Sequence, residues 1–144
     1  AGTYRTRTDQ AACYWERLSG FGGQTADIIA NDFTAFRSVV QIKSTDMGFK
    51  ASGCGTWTTD LSAVTPSLIA SFSSGTWIVG TDIASGTWSA PGGSSCYWER
   101  LSGFGGQSAD IIANDFGAIA PLVAISASDQ GFQTTGCGTW SKVG

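Results

Sequence analysis

The sequence predicts an all-β fold in which two internally duplicated, β-sandwich-like repeats pack as one pseudo-two-fold body. The first observation is a stretch of 21 residues that occurs twice, at 13–33 and 96–116, with Thr25 against Ser108 as its one difference. The second is that no segment combines a sustained 3.6-residue period with caps, so helix should be minor. The third is a series of short strand-like runs separated by glycine-rich and polar turns.

The repeat step of 83 residues extends beyond this stretch, because the GCGTW motif at 53–57 returns at 136–140. We therefore expect a first repeat at 1–57 and a second at 75–144. The connection at 58–74 should pack against the rest of the protein, because it carries apolar side chains that flexible linkers lack. These side chains are Leu61, Val64, Leu68, Ile69 and Phe72.

Local patterns place the elements of the first repeat. Phe21 lies in the glycine-rich turn at 19–23 and is expected to anchor that turn to the core. Asn31 and Asp32 form a turn signal that should end the third strand. The second repeat has an additional strand at 75–83, so the first repeat is expected to be either covered there by the connection or open. The strands expected in the first repeat are 1–8, 13–18, 27–30 and 38–43.

Composition excludes several classes of protein. Charged residues make up 13% of the chain and the net charge is −3, which argues against a general nucleic-acid binder. No apolar run is long enough to span a membrane. A low charge content with abundant glycine, serine and threonine suits an extracellular β-protein. We therefore expect neither nucleic acid nor membrane as a partner.

The four cysteines recur at identical spacing, and the simplest pairing is Cys13 with Cys54 and Cys96 with Cys137. Four cysteines allow three pairings, but only this one treats both repeats alike. The alternative of four free thiols is less favoured, and zinc is less favoured still, because the chain has no histidine and no CxxC pair. Disulfides indicate an oxidising, extracellular location.

The absence of histidine removes Ser-His-Asp and Cys-His catalysis. No P-loop or dinucleotide fingerprint is present. A glycosidase remains conceivable if Glu16 pairs with Asp27 or Asp32. However, an enzyme rarely needs two near-identical active sites in so small a body. We therefore expect a non-catalytic protein without cofactor or metal.

The stretch 13–18 reads as a strand, in which alternate side chains point to opposite faces. A bridged cysteine is usually inside, which favours a register with Trp15 and Arg17 in the core. Tyr14 and Glu16 then point outward as an aromatic plate beside a carboxylate. Sugars are bound by such pairs, because their CH faces lie on aromatic rings and their hydroxyls donate to carboxylates.

A buried Arg17 needs a partner, and Asp27 and Asp32 are the nearest candidates in the sequence. The opposite register, which exposes Trp15 and Arg17 as platform and hydroxyl donor, stays open. In either register the candidate ligand-binding residues come from the same two tetrapeptides. They are Tyr14, Trp15, Glu16, Arg17, Tyr97, Trp98, Glu99 and Arg100.

The combination of CYWERLSGF, DIIAND and GCGTW resembles a repeat of secreted proteins and lipoproteins from Gram-positive bacteria, especially actinobacteria. That repeat occurs alone, in tandem and appended to secreted hydrolases. The resemblance implies an extracellular domain that forms part of a larger multidomain secreted protein. Appendage to polysaccharide hydrolases is also the behaviour of carbohydrate-binding modules.

These observations predict a non-catalytic polysaccharide-binding module of a secreted bacterial polysaccharide-degrading enzyme, with a bacterial exopolysaccharide such as xanthan among the candidate ligands. The repeats share twenty of the twenty-one residues at 13–33 but differ widely at 34–43, which favours a shared binding surface. Two linked sites also suit a polymer, because linkage raises avidity. The alternative is a cell-surface structural or adhesion repeat without a small-molecule site.

Overall fold

A computed structural model describes all 144 residues, which form fourteen β-strands and two short 3₁₀ turns. The predicted all-β, internally duplicated fold is confirmed. The chain divides into two compact units. Residues 1–61 and 104–110 form the first unit, and residues 62–103 and 111–144 form the second.

The first unit contains six strands in two antiparallel sheets. They are β1 Gly2–Thr6, β2 Cys13–Leu18, β3 Ile28–Thr34, β4 Val39–Ile42, β5 Gly48–Ser52 and β6 Trp57–Thr58. One sheet has the order β3-β2-β5 and the other the order β4-β1-β6. The buried hydrophobic core of this unit is small, because it consists of Cys13, Trp15, Ala30, Val40 and Cys54.

The second unit contains eight strands in two antiparallel sheets. They are β7 Ser71–Phe72, β8 Gly75–Ile78, β9 Gly86–Ser89, β10 Tyr97–Leu101, β11 Ile111–Phe116, β12 Leu122–Ile125, β13 Gly131–Thr135 and β14 Trp140–Lys142. The sheet orders are β11-β10-β13-β8 and β12-β9-β14-β7. Strands β7 and β8 have no counterpart in the first unit. Consequently β5 is an edge strand there, and the first repeat is open at this place.

The connection between the repeats packs into the second unit. Phe72 is buried with its ring centroid 4.9 Å from that of Trp88, and it stacks on Trp140. Val64 and Ile69 pack against the same cluster. The apolar side chains Val64, Ile69 and Phe72 therefore pack in the second unit, whereas Leu68 is exposed.

Two local predictions are wrong. Asn31 and Asp32 lie within β3 rather than in a turn, because pairing with β2 continues through both residues and overrides their local preference. Phe21 is 73% exposed and does not anchor its turn to the core. Its ring lies over Gly48 at the surface, where a β-carbon would come within 2.5 Å of it.

The predicted disulfides are confirmed, since Cys13 is bonded to Cys54 and Cys96 to Cys137. All four cysteines are buried. Each bridge joins the start of an inner strand, β2 or β10, to the chain just beyond β5 or β13. A covalent link therefore lies directly before each of the tetrapeptides 14–17 and 97–100.

Candidate binding face

Strand β2 has the register in which the cysteine face points inward. Trp15 is 4% exposed and Arg17 is 1% exposed, while Tyr14 on the opposite face is half-buried. Trp15 contacts Phe49 with a centroid distance of 6.1 Å, in the core of the first unit. Neither Trp15 nor Arg17 is therefore accessible to a ligand, and the outward face of β2 is the surface to consider.

A polar network covers this outward face. The Tyr14 hydroxyl donates to Glu16 Oε2 at 2.7 Å and accepts from Asn31 Nδ2 at 3.3 Å. Lys50 Nζ lies 4.0 Å from Glu16 Oε1. Asn31 on β3 and Lys50 on β5 are the cross-strand partners of Glu16, so all three strands contribute to the network. Glu16 itself is nearly buried, and its carboxylate therefore serves to fix Tyr14.

Phe33 completes the face, and sequence reasoning missed it. It is the cross-strand partner of Tyr14, so both rings stand on the same side of the sheet. Its side chain is 69% exposed. The turn signal at Asn31 and Asp32 predicts that the strand ends before Phe33, whereas β3 continues to Thr34. The available signal was its position at the end of the duplicated stretch.

The second unit carries the same arrangement. The Tyr97 hydroxyl donates to Glu99 Oε2 at 2.7 Å and accepts from Asn114 Nδ2 at 3.2 Å. Phe116 is opposite Tyr97 and is 71% exposed. Gln133 takes the place of Lys50. We call these two surfaces the aromatic–carboxylate faces; they consist of Tyr14, Glu16, Asn31 and Phe33 in one unit and of Tyr97, Glu99, Asn114 and Phe116 in the other.

Burial and the hydrogen bond to Glu99 raise the pKa of Tyr97 to about 12. The pKa of Tyr97 in the folded protein lies above the ordinary value of 10.0. The contribution of the protonated Tyr97 to folding stability is therefore complete below pH 10 and is lost as the pH rises towards about 12. We expect a titration of phenolate absorbance to show this elevated pKa. In Glu99→Gln the same tyrosine should titrate closer to 10.0, because the negative acceptor is gone. An unchanged titration in that variant would contradict the network.

Arg17 does not pair with Asp27 or Asp32, and that prediction is wrong. Its Nε and Nη2 donate to the two carboxylate oxygens of Asp46 at 2.7 and 2.8 Å. These bonds hold the pKa of Asp46 below its ordinary value of 3.8. The Arg17 side chain is buried against the turn before β5, which brings Asp46 to it, while Asp27 caps its own 3₁₀ turn.

The repeat itself carried a signal for this ion pair. Arg17 and Asp46 recur 83 residues later as Arg100 and Asp129, and this second pair has the same two hydrogen bonds, at 2.7 and 2.9 Å. The Arg100 side chain is 23% exposed, whereas that of Arg17 is 1% exposed. The two copies of the buried arginine therefore share a partner but differ in what covers them.

No helix of the protein has the length and apolar character that a membrane span requires. No group of three or more histidine, cysteine, aspartate or glutamate side chains is placed to hold a metal ion.

Two similar β-rich halves, each closed by one disulfide, define an internally duplicated extracellular β-domain. The chain belongs to the Rv1352-like extracellular domain family, whose model matches residues 1–58 and 70–141. The two matched segments cover both repeats, and the protein is extracellular. Comparisons with curated proteins and with solved structures gave no match.

Proposed function

We propose that this extracellular domain is a non-catalytic polysaccharide-binding module of a secreted bacterial polysaccharide-degrading protein. The observation that carries the proposal is the pair of matching aromatic–carboxylate faces. Each combines an exposed phenylalanine ring with an exposed asparagine amide and a tyrosine held in a fixed orientation. A bacterial exopolysaccharide such as xanthan is one candidate ligand.

The chemistry of one face suits a sugar. The exposed ring of Phe33 provides apolar surface for the CH face of a pyranose, and burial of such surface is worth about 25 cal/mol per Å². One N–H of the Asn31 amide donates to Tyr14, and the second N–H and the amide oxygen can bond neighbouring hydroxyls. Because the Tyr14–Glu16 hydrogen bond already fixes the hydroxyl of Tyr14, little side-chain entropy is lost on binding.

The duplication suits a polymer. Each face stands on the outward side of its sheet and carries an exposed phenylalanine ring. Each unit then contributes one weak site, and linkage of the two sites raises the effective concentration at the second after the first is occupied. Lys50 near the first face and Gln133 at the second give the two sites different charge, which is relevant for an acidic polysaccharide.

The placement of the carboxylates supports a non-catalytic role. A glycosidase requires two carboxyl groups about 5–10 Å apart that flank the same bond. Glu16 lies on the outward side of the first sheet, whereas Asp32 is the cross-strand partner of the inward-facing Trp15. Asp27 lies in the adjoining 3₁₀ turn and caps it. Glu16 itself is engaged by the hydroxyl of Tyr14.

The competing function is a cell-surface structural or adhesion repeat. It is favoured by one observation, namely that Glu16 is nearly buried and already interacts with Tyr14 and Lys50. A network closed on itself in this way can serve the fold alone. The two functions differ in whether the exposed rings bind a ligand.

Affinity electrophoresis in gels that contain cellulosic, xylan, chitinous or exopolysaccharide polymers tests the proposal. We expect the native chain to be retarded by at least one of them, and Phe33→Ala/Phe116→Ala to lose roughly tenfold in affinity for it, about 1.4 kcal/mol. The melting temperature should hardly change, because both rings are exposed.

Ile119→Ala is the matched control, since this side chain is 83% exposed but lies outside both faces. It should retain full retardation. If the native chain migrates freely through every polymer, the function is a structural repeat. If the double phenylalanine variant is retarded as strongly as the native chain, the binding surface lies elsewhere.

A further inference from the structure

One glycine-rich loop of the duplicated stretch is docked within the first unit although it belongs to the second repeat. It spans Phe104–Asp110. The carbonyl oxygen of Phe104 accepts from the backbone N–H of Gln41 on the edge strand β4 at 2.7 Å. The carbonyl oxygen of Gly105 accepts from Arg17 Nη1. This is the nitrogen of the buried guanidinium that does not bond to Asp46.

The next loop residue, Gly106, lies directly on the core. It has a φ of +73°, and a β-carbon there would lie 2.8 Å from the Trp15 ring and 3.2 Å from Ala30 Cβ. Only glycine fits so close an approach at this φ. The loop therefore covers the ring of Trp15, Ala30 and the guanidinium of Arg17, and all three side chains are buried beneath it.

The corresponding loop of the first repeat, Phe21–Asp27, has the same internal structure but is undocked. Gly23 has the same φ of +73° as Gly106, and the same 3.0 Å hydrogen bond closes the 3₁₀ turn in both loops. However, residues 21–26 are all exposed, and a β-carbon on Gly23 would meet nothing within 4 Å. The exposed loop at 21–27 therefore has the same conformation as the docked loop Phe104–Asp110, and the first unit shows what kind of surface binds such a loop.

The second unit carries a copy of that docking surface. Arg100, Trp98 and Ala113 are partly exposed, whereas their counterparts Arg17, Trp15 and Ala30 are buried. Ala124 on the edge strand β12 takes the place of Gln41 and is exposed. We call Trp98, Arg100, Ala113 and Ala124 the second docking face.

We propose that the exposed Phe21–Asp27 loop of one chain docks on the second docking face of another copy of this chain. The loops differ only by Thr25 against Ser108, and the central strands beneath them share the sequence CYWER. Since the loop and the face are different surfaces, the contact is heterologous, and copies associate head to tail. One loop buries little area, so the association is transient.

Sedimentation velocity across a concentration series up to about 1 mM tests this association. The weight-average mass of the native chain should rise from 14.9 kDa towards and beyond that of a dimer. Gly23→Asn should stay monomeric, because its side chain would strike Trp98 as a β-carbon on Gly106 would strike Trp15. Asparagine tolerates a positive φ, and the site is open in the free chain.

Ala113→Glu should also stay monomeric, because it places a charge on the second docking face. If this variant unfolds, Ala124→Pro replaces it, since it removes the outward N–H of an edge strand that tolerates proline. An equimolar mixture of Gly23→Asn with the face variant should form a one-to-one dimer and nothing larger. One partner supplies the intact loop and the other the intact face.

Three results would overturn the proposal: a native chain that stays monomeric at the highest concentration, single variants that associate like the native chain, or a mixture that stays monomeric. Circular dichroism melting curves verify that each variant is folded before it is centrifuged. Binding to polysaccharide is not required for any of these outcomes. Trp98, Arg100 and Ala113 lie on the opposite side of their sheet from Tyr97 and Phe116, and Ala124 lies in the other sheet of the unit.

Discussion

Asp46→Asn is expected to destabilise the first unit by about 3–5 kcal/mol, because it leaves the charge of Arg17 buried without a counter-charge. The side chains of this pair are 1% and 2% exposed, so water cannot replace the lost carboxylate. Urea unfolding monitored by tryptophan fluorescence should show the loss as an earlier transition of the first unit.

Asp129→Asn is the matched control in the second unit. It should cost less, about 1–3 kcal/mol, because Arg100 is 23% exposed and regains hydration. Equal losses of stability in the two variants would show that coverage of Arg17 by the docked loop does not affect the energy of the ion pair.

The pKa of Asp46 is lowered in the native chain. The contribution of the ionised Asp46 to folding stability is therefore complete well above pH 3.8 and is lost as the pH falls through the folded pKa.

Removal of the first disulfide, as Cys13→Ala/Cys54→Ala, should unfold the first unit while the second stays folded. The bridge closes a loop of 41 residues, which corresponds to about 4 kcal/mol in the chain-entropy model. The core of the first unit lacks the aromatic cluster that surrounds Phe72, Trp88 and Trp140 in the second. Hydrogen exchange resolved by peptide should therefore show loss of protection in β1 to β6.

Cys96→Ala/Cys137→Ala is the comparison, because its bridge spans the same 41 residues. The larger aromatic core should keep the second unit folded at room temperature with a lowered melting temperature. If the second unit unfolds while the first survives loss of its own bridge, our ranking of the two cores is wrong. Mass mapping of the native chain should identify only the two bridges within repeats.

The duplication and the cysteines made much of the fold predictable. Equal spacing led to the pairing of Cys13 with Cys54, and the preference of a bridged cysteine for the interior led to the position of Trp15. Alternation along β2 then placed Tyr14 and Glu16 on the outer side of the sheet. These inferences rest on local geometry, which a sequence encodes directly.

The remaining features depend on contacts between distant residues. Asp46 is 29 residues from Arg17, and nothing in the local pattern of either residue identifies the other. Phe33 was missed because strand pairing carries β3 through an asparagine and an aspartate that favour turns elsewhere. The docking of one loop could not be predicted from its own sequence, because FGGQTAD and FGGQSAD are chemically equivalent. Only the surrounding residues decide which of the two loops is covered.

The missing counterpart of β8 has a consequence for colloidal behaviour. Strand β5 presents unpaired backbone groups, and such an edge is a template on which strands of other molecules can add to form aggregates. At the centre of β5 stands Lys50, whereas the equivalent residue of the covered strand β13 is the neutral Gln133. A solvated ammonium group on an open edge resists the approach of another strand, since pairing would strip its water. The cation thus lies on the strand with the open edge, whereas the neutral glutamine lies on β13, which is covered by its pairing with β8.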